Sequence, residues 1–182
     1  RTHRMAHHRP IWCDVSVTLE SERLESFVPV VAGRDVWVVV LLMTDDGLPK
    51  GVVERVDAAH RLVDALDSAG VARGDIFIDP IVTPLSVDPE GGRVANDAIR
   101  QIIEELPECH TICGVSNVSY GLPRRALLNR VFLCQAIVSG LDSAIVDPLD
   151  QGIMSSIYAA EALAGRDEWC TDYLAAYRRG VL

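Results

Sequence analysis

Three apolar runs in this 182-residue chain close on a polar side chain. "IFID" delivers Asp79, "TICGVSN" delivers Asn117 and "SAIVD" delivers Asp147. Two carboxylates and one amide can hold a polar ligand by hydrogen bonds. Each residue also has a plainer use. Asp79 and Asp147 both precede proline, a pairing that starts turns. Asn117 suits a helix cap or a left-handed backbone. The three stand at equivalent places in successive segments, and that makes them a constellation.

Other clusters carry less. "CHTIC" puts Cys109 and Cys113 on one side of a strand and His110 on the other, so the three cannot converge on a metal. His7 and His8 are an isolated pair, and His60 lies beside charged neighbours on a helical pattern. No metal site is expected. No Ser–His–Asp set, GxSxG elbow or phosphate-cradling glycine loop is found.

The elements that position these groups alternate. Strand-like runs cover 11–17, 35–43, 75–82, 110–118 and 143–150. Helical patterns cover 18–31, 51–70, 93–106, 124–140, 152–165 and 169–180. The run at 35–43 is nearly all apolar and rich in valine, which suits a parallel strand buried on both faces. Strand starts at 35, 75, 110 and 143 recur at roughly the length of one βα unit. Both an open doubly wound sheet and a (β/α) barrel fit this beat. Five strands are too few to close an eight-stranded barrel, so the chain reads as an open sheet or as the C-terminal part of a barrel. In either architecture the C-terminal ends of the strands form the ligand face, where Asp79, Asn117 and Asp147 converge.

The bulk numbers agree with one globular domain over 1–182, with 49% hydrophobic residues. A net charge of -9 argues against nucleic acid or an anionic membrane as the main partner. The local basic cluster of Arg124, Arg125 and Arg130 can still meet an anionic ligand. Five cysteines without CxxC spacing predict a reduced, cytoplasmic protein. Asp and Arg punctuate every apolar run before it reaches a membrane span. The first ten residues carry charge but no apolar core, unlike a secretory signal.

"MTDDGLPK", "IFIDPIVTPLSVDPE", "HTICGVSNVSYGLPRRALLNRVFL" and "GLDSAIVDPLD" follow one another in order. Together they resemble the methyltetrahydrofolate:corrinoid-protein methyltransferases, members of the pterin-binding family that includes dihydropteroate synthase. The similarity runs from about Arg9 to the C-terminus, and "GVSNVSYGLPRRALLNRVFL" is its longest specific stretch. The resemblance implies a (β/α)8 TIM barrel of the α/β class, of which this chain covers about the last five βα units. The early strands and the first pterin-binding carboxylate of the family would then precede residue 1.

The implied activity moves the N5 methyl group of 5-methyltetrahydrofolate to cob(I)alamin. The cobalamin is carried by a corrinoid partner protein, the folate is the small-molecule substrate, and the full-length form is a homodimer. By the resemblance Asp79 takes the N–H donors of the pterin's aminopyrimidine edge, and Asn117 lies near N5 as the catalytic group. Gly114 lets backbone approach the ring, Ser116 and Ser119 support the site, and Arg125 meets the anionic part of folate. Asp147 is a further pterin-binding position. The family asparagine on the first strand here falls at Cys13, Asp14 or Val15, with Asp14 able to stand in. Dihydropteroate synthase is the nearest rival, but its glycine- and lysine-rich loop and its basic last-strand motif are absent. A non-catalytic pterin-binding or scaffold subunit is the other alternative.

Overall fold

The computed structural model describes residues 11–13, 21–44 and 47–182. Five strands form one sheet: β1 (Ile11–Cys13), β2 (Trp37–Leu41), β3 (Ile76–Asp79), β4 (His110–Gly114) and β5 (Ser143–Ile145). Six helices accompany them: α1 (Ser21–Val31), α2 (Val52–Ser68), α3 (Gly91–Glu105), α4 (Arg125–Ser139), α5 (Gln151–Leu163) and α6 (Thr171–Arg178). Every neighbouring strand pair is parallel, and the strands lie in chain order.

That order is not the order of a doubly wound sheet. A doubly wound sheet reverses its order at a switch point and carries helices on both faces. Here there is no reversal, and right-handed crossovers then stack the helices on one side. Successive helices touch accordingly, α2 on α3, α3 on α4 and α4 on α5. In the β2–β3–β4 register Val38, Val40, Ile76, Ile78 and Cys113 share one face. These are the strand residues of the two buried core clusters, packed against the apolar stripes of α2 and α3. Leu62 and Leu66 of α2 and Ile99 and Ile102 of α3 are fully buried there.

The opposite face is different. Trp37, Leu41, Phe77, Asp79, His110 and Ile112 point to it and remain partly exposed. Trp37 lies 5.6 Å from Phe77, and Phe77 stacks on His110 at 4.6 Å, ring centre to ring centre. His110 Nδ1 is 2.7 Å from the Asp142 carboxylate. Val39 belongs to this face too and is buried, so the valines of β2 are covered on both faces.

Several expected boundaries move. The strand expected over 110–118 ends at Gly114, and Val115–Ser119 is a 3-10 turn. The reason is the spacing of its buried residues. Val115 and Val118 are both buried, three positions apart; a strand would put them on opposite faces, whereas a 3-10 turn brings them to the same side. Asn117 is thus carried by the turn beyond the strand. The strand expected over 143–150 stops at Ile145, because Asp147 Oδ1 accepts the Leu149 N–H at 2.9 Å and turns the chain. The helix expected from 124 begins at Arg125, because Arg124 adopts a left-handed backbone (φ 53°). Trp169 and Cys170, both left-handed, delay the last helix to Thr171. Of the strand expected over 11–17, Ile11–Cys13 is formed, and Asp14 lies outside the described residues. No described helix is long and apolar enough to cross a membrane.

Candidate functional site

The β3 strand ends in a turn built on Asp79. Its carboxylate Oδ1 accepts the Ile81 N–H at 2.8 Å, across Pro80. Ile81 is left-handed (φ 60°), a conformation that costs a β-branched residue on the order of 1–3 kcal/mol. The turn-starting use of Asp-Pro is therefore real, and among the described residues nothing hydrogen-bonds Oδ2. Burial pushes the Asp79 pKa up to about 6, against the opposing pull of the Ile81 N–H and the Arg55 charge.

What fixes this turn is a residue that sequence reasoning passed over. Arg55, on α2 and only 2% exposed, donates from Nη1 to the Pro80 carbonyl at 2.5 Å and to the Ile81 carbonyl. Its Nη2 reaches Thr83 Oγ1 at 3.3 Å. The available signal was periodicity: Arg55, Ala59, Leu62 and Leu66 form one helical stripe, so a guanidinium occupies a core-facing position.

The second half of the site is the 3-10 turn after β4. Ser119, fully buried, donates to Asn129 Oδ1 at 2.7 Å and accepts from Arg125 Nε at 3.0 Å. Arg125 Nη2 donates to the Ser116 carbonyl at 2.8 Å, and the guanidinium lies 6.0 Å from the Tyr120 ring centre. Arg125, Ser119 and Asn129 thus tie α4 to the turn that carries Asn117. Asn129, like Arg55, was missed by sequence reasoning; nothing marks it apart from its place in the "LLNR" run. Asn117 itself is exposed, and no described residue hydrogen-bonds its side-chain amide. Gly114 stands beneath it: a Cβ there would be 3.3 Å from Asn117 Nδ2.

Of the residues singled out in the sequence, Ser116, Arg125 and Asp147 line one cavity of about 440 Å³ between the ends of β4 and β5. Asn129 and Asp150 complete its polar wall. Asp150 is held by Arg130 at 2.8 Å and caps α5 through the Ile153 N–H, which keeps its pKa below the ordinary carboxylate value. Asp79, Gly114 and Asn117 are outside that cavity, at the ends of β3 and β4. The expected basic cluster is accordingly divided: Arg125 braces a turn and Arg130 pairs with Asp150. A larger cavity of about 610 Å³ between α3 and α4 contains none of the expected site residues. Among the described residues no three His, Cys, Asp or Glu side chains gather to hold a metal ion.

Residues 13–147 match the family model described as "Pterin binding enzyme". The chain is 32% identical over 169 residues to the methylcorrinoid:tetrahydrofolate methyltransferase of Eubacterium limosum, covering 92% of this chain and 62% of that protein. It is 34% identical over 131 residues to the methionine synthase of Mycobacterium leprae (strain TN) and 33% to that of Mycobacterium tuberculosis (strain ATCC 25618 / H37Rv). Those alignments cover 68% of this chain and 11% of each synthase.

Proposed function

The chain belongs to the pterin-binding enzyme family, and we propose that it serves methyl transfer between N5 of tetrahydrofolate and the cobalt of a corrinoid held by a partner protein. In the forward sense the methyl–nitrogen bond of 5-methyltetrahydrofolate breaks and a methyl–cobalt bond forms. Cob(I)alamin supplies the electron pair of the new bond, and N5 keeps the pair of the old one. The departing nitrogen gathers negative charge and must receive a hydrogen bond or a proton. The name of the Eubacterium limosum relative states the opposite direction, methyl from corrinoid to folate. One site supports both, because a donor that stabilises departing N5 equally stabilises the transition state of the return.

The observation that carries the reading is the exposed amide of Asn117 above Gly114, hydrogen-bonded by no described residue, on a turn braced by Arg125 and Ser119. In this reading Asn117 donates to N5, and the carboxylate of Asp79 accepts the N–H groups of the pterin edge. Gly114 leaves room for the amide and for the ring. Ser116, Arg125 and Asp147, around the neighbouring cavity, take the more distant polar parts of folate, and Asp14 adds a pterin contact. No metal is required of this chain.

The same reading makes residues 1–182 one domain, about the last five βα units of a (β/α)8 barrel. Support comes from strands in chain order with helices on one face, and from the rings of Trp37, Phe77 and His110 along the other. A closed barrel would turn that face inward. The chain covers less than two thirds of the length of the curated relatives it matches. A homodimer of the full-length form and a cytoplasmic setting belong to the proposal.

Titration with 5-methyltetrahydrofolate, alone and with a reduced corrinoid protein, tests it. Binding together with methylcobalamin formation is the expected result. Binding without methyl transfer favours a pterin-binding subunit, and no binding removes both.

A further inference from the structure

We propose that Arg55 is a positioning residue for Asp79, holding from α2 the loop that aims the pterin-directed carboxylate. The proposal rests on the reading of Asp79 given above, but its geometry does not. Among the described residues Arg55 makes no ion pair within contact distance; its guanidinium reaches three acceptors of one loop, the carbonyls of Pro80 and Ile81 and the hydroxyl of Thr83. Its Nε is buried and without a partner, so the side chain accepts an unmet donor in order to reach them.

The fork matters because the loop is strained. Ile81 is left-handed (φ 60°), and its N–H, which lies in the same peptide plane as the Pro80 carbonyl that Arg55 holds, donates to Asp79 Oδ1. Arg55 grips the carbonyl of Ile81 as well. The far side of the loop is packed as tightly: a Cβ on Gly91 would lie 2.4 Å from the Thr83 carbonyl oxygen, so α3 must open on glycine to let the loop pass. The loop is thus clamped between α2 and the start of α3, with the Asp79 carboxylate fixed by its one hydrogen bond to the clamped segment. Among the described residues the charged and titratable neighbours of this assembly are Asp79, Asp88 and the buried thiol of Cys113. A lysine in place of Arg55 keeps the charge but presents a single point donor, so it cannot hold two carbonyls and a hydroxyl at once.

The test uses the full chain and the variants Arg55→Lys, Arg55→Gln and Thr83→Val. Without ligand, NMR follows exchange of the Ile81 amide and titration of the Asp79 carboxyl. Arg55→Lys is expected to speed Ile81 exchange by about tenfold or more, and Arg55→Gln to move the Asp79 midpoint upward as well. Thr83→Val, which removes one acceptor and keeps the charge, is expected to give a smaller change in exchange alone. Should Arg55→Gln fail to fold, the lysine and valine variants still decide. Unchanged Ile81 exchange in folded Arg55→Lys overturns the proposal. With 5-methyltetrahydrofolate as probe, Arg55→Lys is expected to weaken Kd about tenfold in the native background and not at all beside Asp79→Asn. An equal loss in both backgrounds also overturns it. If Asp79→Asn leaves Kd unaltered, the pterin reading of Asp79 fails, while the amide exchange still decides whether Arg55 holds the loop.

Discussion

Gly114 and Asn117 are spatial partners: the position a Gly114 side chain would fill is 3.3 Å from the Asn117 amide nitrogen. Gly114 has an ordinary extended backbone (φ −78°, ψ 97°), so its missing side chain serves space and not conformation. Gly114→Ala is therefore expected to keep the fold, with stability within about 1 kcal/mol of the native chain. The added methyl presses on the amide and turns it away. Methyl transfer is expected to fall about tenfold, measured beside the melting temperature. A large loss of stability with an unchanged rate per folded molecule contradicts this relationship.

Asn117→Ala removes a donor aimed at charge that develops only as the methyl departs. A group of that kind affects rate more than ground-state binding. The expected fall in methyl transfer is on the order of 100-fold, with Kd for 5-methyltetrahydrofolate within about threefold. Single-turnover kinetics separate the two. Loss of binding with an unaltered residual rate assigns Asn117 to holding the pterin.

Ser119→Ala takes the hinge pin from the turn. The hydroxyl is fully buried and joins Asn129 Oδ1 at 2.7 Å to Arg125 Nε at 3.0 Å. Its loss leaves both groups short of a partner, at a cost of about 1–3 kcal/mol. Denaturant unfolding measures it. Because Arg125 also holds the Ser116 carbonyl, the Asn117 turn loosens, and methyl transfer is expected to fall with stability. Ser119→Thr keeps the hydroxyl and tests whether the hydrogen bonds or the volume matter.

Much of this arrangement is legible in the sequence. The strand-helix beat is written in alternating apolar runs and helical periods, and the polar residues closing Asp79, Asn117 and Asp147 mark one end of the sheet. The turn of Val115–Ser119 reads as a strand extension because "TICGV" continues the apolar run smoothly. Only the three-residue spacing of Val115 and Val118 betrays it. Arg55 was hidden for the opposite reason. Counting apolar positions along α2 passes over a charged residue on the apolar stripe, although such a residue is paired or bonded whenever it is buried. Sequence spacing put Asp79 at the end of a strand, where it stands, but could not reveal that Arg55 on α2 holds the Pro80 carbonyl 25 residues downstream of itself.

Asp79 links the site to pH. Its carboxyl has a pKa of about 6, raised first by burial. A protonated carboxyl loses one acceptor position, so pterin binding should need the ionised form. Kd is expected to be flat above about pH 7 and to weaken toward tenfold per pH unit well below 6. Asp79→Asn should bind weakly with no such dependence. Stability runs the other way. The folded state holds this proton more tightly than the unfolded chain, so its contribution is greatest below the ordinary carboxylate pKa and is lost as pH rises through about 6. A gap of about two pH units corresponds to about 3 kcal/mol as an upper figure. Asp79→Asn should therefore stabilise the chain at pH 7 by about 1–3 kcal/mol and change it little at pH 4. Urea midpoints of the two chains at both values measure the difference. Equal stability at pH 7, with pterin binding by the native chain independent of pH, would mean that Asp79 ionises like an exposed carboxylate and that its burial exacts nothing.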